Sequence, residues 1–288
     1  MERTYTGAAP LTLMPPGATD CQMHMYLPGY PALPGGPPVP AGRPGPEDYR
    51  QVMRWLGIDR VVITQGNSHQ RDNANLLACL TEMGDLARGV AVITGEEAAP
   101  ELARLASAGI VGARIMDLPG GAVGLDTLER VGAIAAEMGW MMAVQFDGGK
   151  LLEMEGRLSR LKCRWVLDHH GKFFAGITPE GPEAHALLRL IDTGRCWYKV
   201  AGCYESSREP WPYADIASIT RLIAAHAPER IVWGTNWPHN LAKTSADYPN
   251  DAALLDLTLG WLPSEAARHQ ALVANPAELF DWEYIEKT

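Results

Sequence analysis

Histidines, arginines and side-chain amides gather at a few points of this sequence. Gln22 and His24 stand two residues apart, and Asn67, His69 and Arg71 repeat that spacing. Asp168, His169, His170 and Lys172 form one short run, and Asn236 and His239 flank a Trp-Pro pair. Arg114 interrupts an apolar stretch, Gln145 and Asp147 end another, and Tyr204 follows a third. Histidine carries protons near neutral pH. The planar guanidinium suits two-point contact with a carboxylate, and amides orient hydroxyls or donate to a carbonyl oxygen. Such a set suits proton transfer on a small anionic substrate. Sulfur offers less: Cys21, Cys79, Cys163, Cys196 and Cys203 make no C-x-x-C pair, which reads as buried free thiols rather than disulfides or zinc ligands.

The elements that must position these groups show as an alternation. Short β-rich apolar runs occur at 19–26, 60–65, 89–94, 112–117, 140–147, 164–170, 197–202 and 230–237. Amphipathic segments follow them at 47–56, 73–86, 97–108, 125–138, 150–161, 182–193, 213–226 and 251–262, with one more at 264–273. Eight strand–helix units in 288 residues predict an α/β fold, a parallel sheet closed into a (β/α)₈ TIM barrel, in one domain spanning 1–288. An open doubly wound sheet should carry a Gly-rich phosphate turn after its first strand, and none follows 21–26. Catalytic groups of a barrel collect where its strands end, and the polar residues above cluster at such ends. Period two puts Gln22 and His24 on one side of strand 1 and Met23 on the other. The Pro- and Gly-rich stretch 28–46 predicts a long loop over that end, either a lid or an ordered wrap.

A net charge of −9 excludes the basic footprint of a nucleic-acid binder. An anionic ligand must then meet a local cationic cluster, for which Arg71, Arg114 and Lys172 are the candidates. Arg114 either binds that anion or pairs with Asp117 or Asp147, because a bare buried guanidinium is costly. Residues 1–20 lack the cationic start and apolar run of a signal peptide, and no stretch approaches the ~20 apolar residues of a membrane span. A cytoplasmic protein with no membrane partner is expected. Nothing in the sequence specifies an oligomeric state. His185, His226 and His269 fall on helical segments and are expected at the surface.

Four runs carry a family resemblance. Thr19-Asp20-Cys21-Gln22-Met23-His24 resembles the first-strand H-x-H of the amidohydrolase superfamily, and Trp165-Val166-Leu167-Asp168-His169-His170-Gly171-Lys172 its sixth-strand histidine motif. Trp233-Gly234-Thr235-Asn236-Trp237-Pro238-His239 resembles its strand 8 W-G-[ST]-D-W-P-H, and Asn275-Pro276-Ala277-Glu278-Leu279-Phe280 its closing N-P-x-x-L-[FY]. Within the superfamily the chain is most similar to the branch holding 2-pyrone-4,6-dicarboxylate lactonase and the sugar lactonases, which implies a small anionic lactone as substrate. A metal-dependent member uses both strand 1 histidines, a Lys or Glu on strand 4, histidines on strands 5 and 6, and an Asp on strand 8. Here Gln22, Arg114, Gln145 with Asp147, and Asn236 stand at those places. Zinc needs three or four good ligands and amides are poor ones, so no metal and no other cofactor is expected.

An amide at 236 cannot take a proton from water, which favours acyl transfer within the substrate over hydrolysis. The resemblance implies conversion of D-galactaro-1,5-lactone to the 1,4-lactone in oxidative D-galacturonate breakdown. His169 or His24 would be the proton shuttle, with Asp147 as a fallback base. Gln22 and Asn236 would orient hydroxyls or donate to the carbonyl oxygen. Arg71, Arg114 and Lys172 would hold the free carboxylate, and Asn67, His69, Gln145, Tyr204 and His239 would complete the pocket. A metal-independent lactonase and a non-catalytic sugar-acid binder are the alternatives, separated by water in the product and by turnover.

Overall fold

The structure, a computed structural model, describes residues 2–283. Strands β1 (Thr19–Met23), β2 (Arg60–Thr64), β3 (Ala87–Ala91), β4 (Ile110–Asp117), β5 (Met141–Phe146), β6 (Trp165–Leu167), β7 (Cys196–Val200) and β8 (Ile231–Trp233) pair in sequence order. Every pairing is parallel. A parallel bridge between Met23 and Trp237 brings the last strand back to the first. It is flanked by His24 N–H to Trp237 O at 2.9 Å and Asn236 N–H to Gln22 O at 2.8 Å. The expected barrel is thus the fold.

Around it run α1 (Pro46–Leu56), α2 (Ala74–Met83), α3 (Ala99–Ser107), α4 (Leu128–Met138), α5 (Leu151–Leu158), α6 (Pro182–Asp192), α7 (Cys203–Ser206), α8 (Ala214–His226), α9 (Asp251–Leu259), α10 (Glu265–His269) and α11 (Asn275–Phe280). Helix α1 shows why such segments form. Pro46 opens it, Asp48 Oδ2 accepts from Gly45 N–H at 3.0 Å, and Gly57 ends it in the left-handed region. Tyr49, Val52, Met53 and Leu56 recur at helical spacing and are buried.

Two apolar layers hold the barrel. Val61, Ile63, Ile115, Val144 and Leu167 face the helices. Cys21, Val62, Val90, Ala143, Val166, Trp197 and Val232 fill the interior, closed below by Leu279, Phe280 and Trp282. Period two therefore lifts Thr64, Gln145, Asp168 and Lys199 into the chamber above Val62, Ala143, Val166 and Trp197.

The expected strands at 19–26, 164–170 and 230–237 overran the observed ones. His169, His170, Lys172, Asn236 and His239 have φ between 47° and 63°, which no extended strand accommodates. Loop 28–46 is stitched onto the turn Asn67–His69 by Leu33 N–H to Ser68 O (2.8 Å), Ser68 Oγ to Pro38 O (3.1 Å) and His69 Nδ1 to Pro31 O (3.1 Å). The five cysteines are buried and free. Among the described residues no helix is long and apolar enough to cross a membrane.

Candidate active site

The base of the chamber is a buried charge pair. Lys199, 1 % exposed, projects its Nζ to within 3.0 Å of Asp168 Oδ1 and 2.8 Å of Gln22 Oε1. Burial would raise the Asp168 carboxyl, yet Lys199 and then His169 hold it well below the usual carboxylate range. Gln22 also accepts from Thr64 Oγ1 at 3.3 Å, so its amide nitrogen points to His24 Nε2 at 3.4 Å. Behind this layer Asp20 accepts from Gln22 N–H and Thr235 N–H, each at 3.0 Å, and from the hydroxyls of Tyr49 and Thr235. A Cβ at Gly234 would lie 2.6 Å from Gln22 N, so only glycine lets β1 and the extension of β8 meet here.

Hydrogen-bond partners give the two chamber histidines opposite roles. His24 Nδ1 lies 2.8 Å from the Thr64 carbonyl and must carry the hydrogen, which leaves Nε2 as an acceptor. Burial, and then Arg114, push the His24 pKa down to about 3, so the ring is neutral at neutral pH. Asn236 Nδ2 donates to Tyr204 Oη and to Glu205 Oε1, both at 2.9 Å. Its Oδ1 is thereby an acceptor for His169 Nε2–H at 3.0 Å, while His169 Nδ1 faces Asp168 Oδ1 at 3.1 Å. His169 is a donor through Nε2. Gly202 makes this meeting possible: it sits at φ 62°, and a Cβ there would lie 2.9 Å from Asn236 Nδ2 and 3.0 Å from His169 Cδ2.

Arg114 is 4 % exposed and is held by neutral acceptors: Gln65 O at 3.0 Å, Asn67 Oδ1 at 2.9 Å and Gln145 Oε1 at 2.9 Å. Neither of the expected structural partners reaches it. Asp117 pairs with Lys150 at 3.4 Å, and Asp147 caps Gly149 N–H at 3.0 Å. Among the described residues Arg114 Nε has no partner. A buried cation ringed by amides, with a free N–H, has the chemistry to receive an anion.

Hydrogen bonds and ion pairs join Gln22, His24, His169, Asn236, Tyr204 and His239 through Lys199 and Asp168, and Lys172 joins them through Glu205 Oε2 at 2.8 Å. Arg114, Asn67 and Gln145 form a second cluster, whose charge is felt at His24 and Asp168. The structure does not bring in three others. Asp147 is committed to its turn. Arg71 is exposed, donates to Ala122 O at 3.3 Å and lines a separate cavity of about 480 Å³ with Met116 and Asp117. His69 is tied to the loop at Pro31. His170 turns away from the chamber to Tyr198 Oη at 3.1 Å and the ring of Trp261.

Sequence reasoning passed over Lys199, Thr64, Glu205 and Asp251. Lys199 had a signal, a cation two residues after an inward Trp197 in an apolar strand. Glu205 had none, because it sits on α7, a single turn with no periodicity to read. The wider superfamily implies a metal at this place, and the donor set does not fit one. An ammonium already stands among the oxygens, amides Gln22, Gln145 and Asn236 stand at ligand positions, and among the described residues no three His, Cys, Asp or Glu side chains could hold an ion.

The sequence pattern described as Amidohydrolase matches residues 19–282. The chain is 61% identical to a D-galactarolactone isomerase of Agrobacterium fabrum (strain C58 / ATCC 33970), over 99% of this chain and 98% of that one. It is 30% identical to a 4-sulfomuconolactone hydrolase of Hydrogenophaga intermedia, over 93% and 90%. A crystal structure of an apo Agrobacterium tumefaciens protein superposes with a TM-score of 0.97 at 61% identity, covering 98% of this chain and 100% of that one. With its barrel, its strand-end site and this match along nearly its whole length, the chain belongs to the amidohydrolase family.

Proposed function

We propose that this chain converts D-galactaro-1,5-lactone to D-galactaro-1,4-lactone by intramolecular acyl transfer, with no metal and no net consumption of water. The observation that carries the reading is the 61% identity, end to end, with a D-galactarolactone isomerase. The site chemistry agrees with it. The 4-hydroxyl attacks C1, a tetrahedral intermediate forms, and the 5-oxygen leaves, so the protein must hold an anion, polarise a carbonyl and move one proton.

Arg114, with its free Nε, is assigned to the substrate carboxylate, with Gln145 and Asn67 fixing the guanidinium. His169, a donor through Nε2, is assigned to the reacting oxygens. His24, a neutral acceptor, is assigned to a substrate hydroxyl. Asn236 orients His169 and supplies no base for water. Lys199 provides fixed positive charge beneath the reacting centre. Cytoplasmic oxidative D-galacturonate breakdown, in one domain over 1–288, is the setting this reading implies; Met1 and 284–288 lie outside the described residues.

The test is an NMR time course of freshly prepared galactaro-1,5-lactone with chelator-treated protein. Growth of the 1,4-lactone above the uncatalysed rate is expected. Open-chain galactarate as the first product would make the chain a hydrolase, and no acceleration of either would leave the sugar-acid binder.

A further inference from the structure

We propose that Tyr204, His239 and Asp251 form a proton relay that takes the proton of the attacking 4-hydroxyl and returns it to the departing 5-oxygen. The inference rests on the lactone-isomerising reading above.

The three side chains lie in line. Asp251 Oδ1 is 2.9 Å from His239 Nε2, and His239 Nδ1 is 2.6 Å from Tyr204 Oη. The direction of each bond follows from its neighbours. Tyr204 Oη already accepts from Asn236 Nδ2, so its own hydrogen points to His239 Nδ1. That nitrogen is therefore unprotonated, and Nε2 carries the hydrogen donated to Asp251. A hydroxyl backed by an imidazole, backed in turn by a carboxylate, is the arrangement that lets a hydroxyl give up and recover a proton.

A carboxylate backs His239 in a closed setting. The ring is 0 % exposed and Asp251 2 % exposed, and among the described residues Asp251 Oδ2 has no partner. Asp251 opens α9 beside the cap made by Asn250, where the helix dipole favours a carboxylate. His239 adopts a left-handed backbone, φ 56°, a conformation costly for a side-chain-bearing residue and retained where surroundings demand it. Tyr204 is the only member that reaches the chamber, where it shares Asn236 with His169.

His169 presents a donor, Nε2–H, toward Asn236 and so serves to stabilise oxygen charge, and three other groups at the site are poorly suited to taking the proton. His24 is held neutral by burial and Arg114, with a pKa of about 3. The Asp168 and Glu205 carboxylates are buried but held low by Lys199 and Lys172 respectively. Burial, and then Glu205, push the Tyr204 phenol up, so it acts by passing a proton on rather than by standing ionised. The step balances. As O4 bonds to C1, its proton moves to Tyr204 Oη while the phenolic proton moves to His239 Nδ1. As the C1–O5 bond breaks, both protons retrace their paths and the phenol protonates O5.

The experiment compares wild type, Tyr204→Phe and Asp251→Asn on galactaro-1,5-lactone, with a proton inventory in H₂O/D₂O mixtures. A Phe variant that melts with the wild type should lose about a hundredfold or more in kcat with KM changed by less than about threefold. Asp251→Asn should lose part of that. The wild-type inventory should bow, as two protons in flight require, and need no variant to be read. A Phe variant within about threefold of wild-type kcat, or a linear wild-type inventory, would overturn the relay. If the wild type instead opens the lactone with water, the isomerase reading fails, and the same kcat ratio still decides the relay because water is then the hydroxyl deprotonated. A wild type inert in both assays overturns both.

Discussion

Lys199→Met removes the charge at the centre of the site while keeping most of its volume. The ammonium and Asp168 Oδ1 are 3.0 Å apart, with side chains 1 % and 0 % exposed. Two unit charges at that distance in an effective dielectric of about 20 attract by about 5 kcal/mol, and removing one partner of a buried pair typically costs about 3–5 kcal/mol. The pH dependence carries its own sign. In the wild type Asp168 is depressed, against its burial, chiefly by Lys199. Its contribution is therefore complete above the unfolded value of about 3.9 and is lost only as pH falls through the lower folded value. Without the ammonium, burial dominates and the carboxyl rises above about 3.9, so the penalty appears as pH climbs past about 4 and persists at neutrality. Urea unfolding of both proteins should show a deficit of about 3–5 kcal/mol at neutral pH that shrinks towards pH 4 as the variant's carboxyl takes up its proton, while the wild-type share persists to lower pH. The matching fall in Tm is roughly 5–8 °C. Adding Asp168→Asn should restore much of the loss, as expected of coupled neighbours. A deficit below about 1 kcal/mol at neutrality, or one unchanged on acidification, refutes the claim that Lys199 neutralises Asp168.

Arg114→Gln should raise KM about 10- to 100-fold with a smaller change in kcat, since a charge-assisted contact to a carboxylate is worth about 1.5–3 kcal/mol; equal losses in both constants would place Arg114 at the reacting carbon instead. His169→Asn should lower kcat about 10²- to 10⁴-fold and leave KM within a few fold, and steady-state kinetics will show whether the loss falls on KM instead. Acid should weaken the fold well above carboxylate pKa values. His24 and His170 are each pushed by burial to about 3, so from about pH 6.5 downward the unfolded chain takes two protons that the folded one refuses. Asp20, raised by burial to about 6, opposes this by one proton between about pH 6 and 4, leaving a net loss of about 1.4 kcal/mol per pH unit. Urea midpoints that stay level across that range would contradict the burial of those two rings in neutral form.

The barrel was legible because both of its periods are. Alternating strands and 3.6-residue helices repeat eight times, and the hydrophobic effect commits each apolar face to one of two cores. Gln22, His24, Arg114 and Gln145 were legible for the same reason, since strand period fixes which side chains enter the chamber; Asn236, past the end of β8 at φ 63°, was legible from its motif instead. Legibility failed where the chain leaves regular structure. Asp147 and Arg71 sit beyond strand ends, and a local turn bond to Gly149 and a long-range bond to the Ala122 carbonyl decide their directions. Glu205 and Asp251 reach the site from α7 and α9, positions set by tertiary packing. Arg114 shows a third limit: its partners are a carbonyl and an amide from the turn after β2 and an amide from β5, and charge alone pointed to carboxylates that lie elsewhere.

The central claim is that the acyl group moves within the substrate and that no water enters. The most direct measurement is mass spectrometry of the products formed from galactaro-1,5-lactone by chelator-treated protein in ¹⁸O-labelled water. Galactaro-1,4-lactone free of label, formed at the enzymatic rate, is the predicted result. Label in the 1,4-lactone, or labelled galactarate as the first product, would contradict it and make this chain a hydrolase.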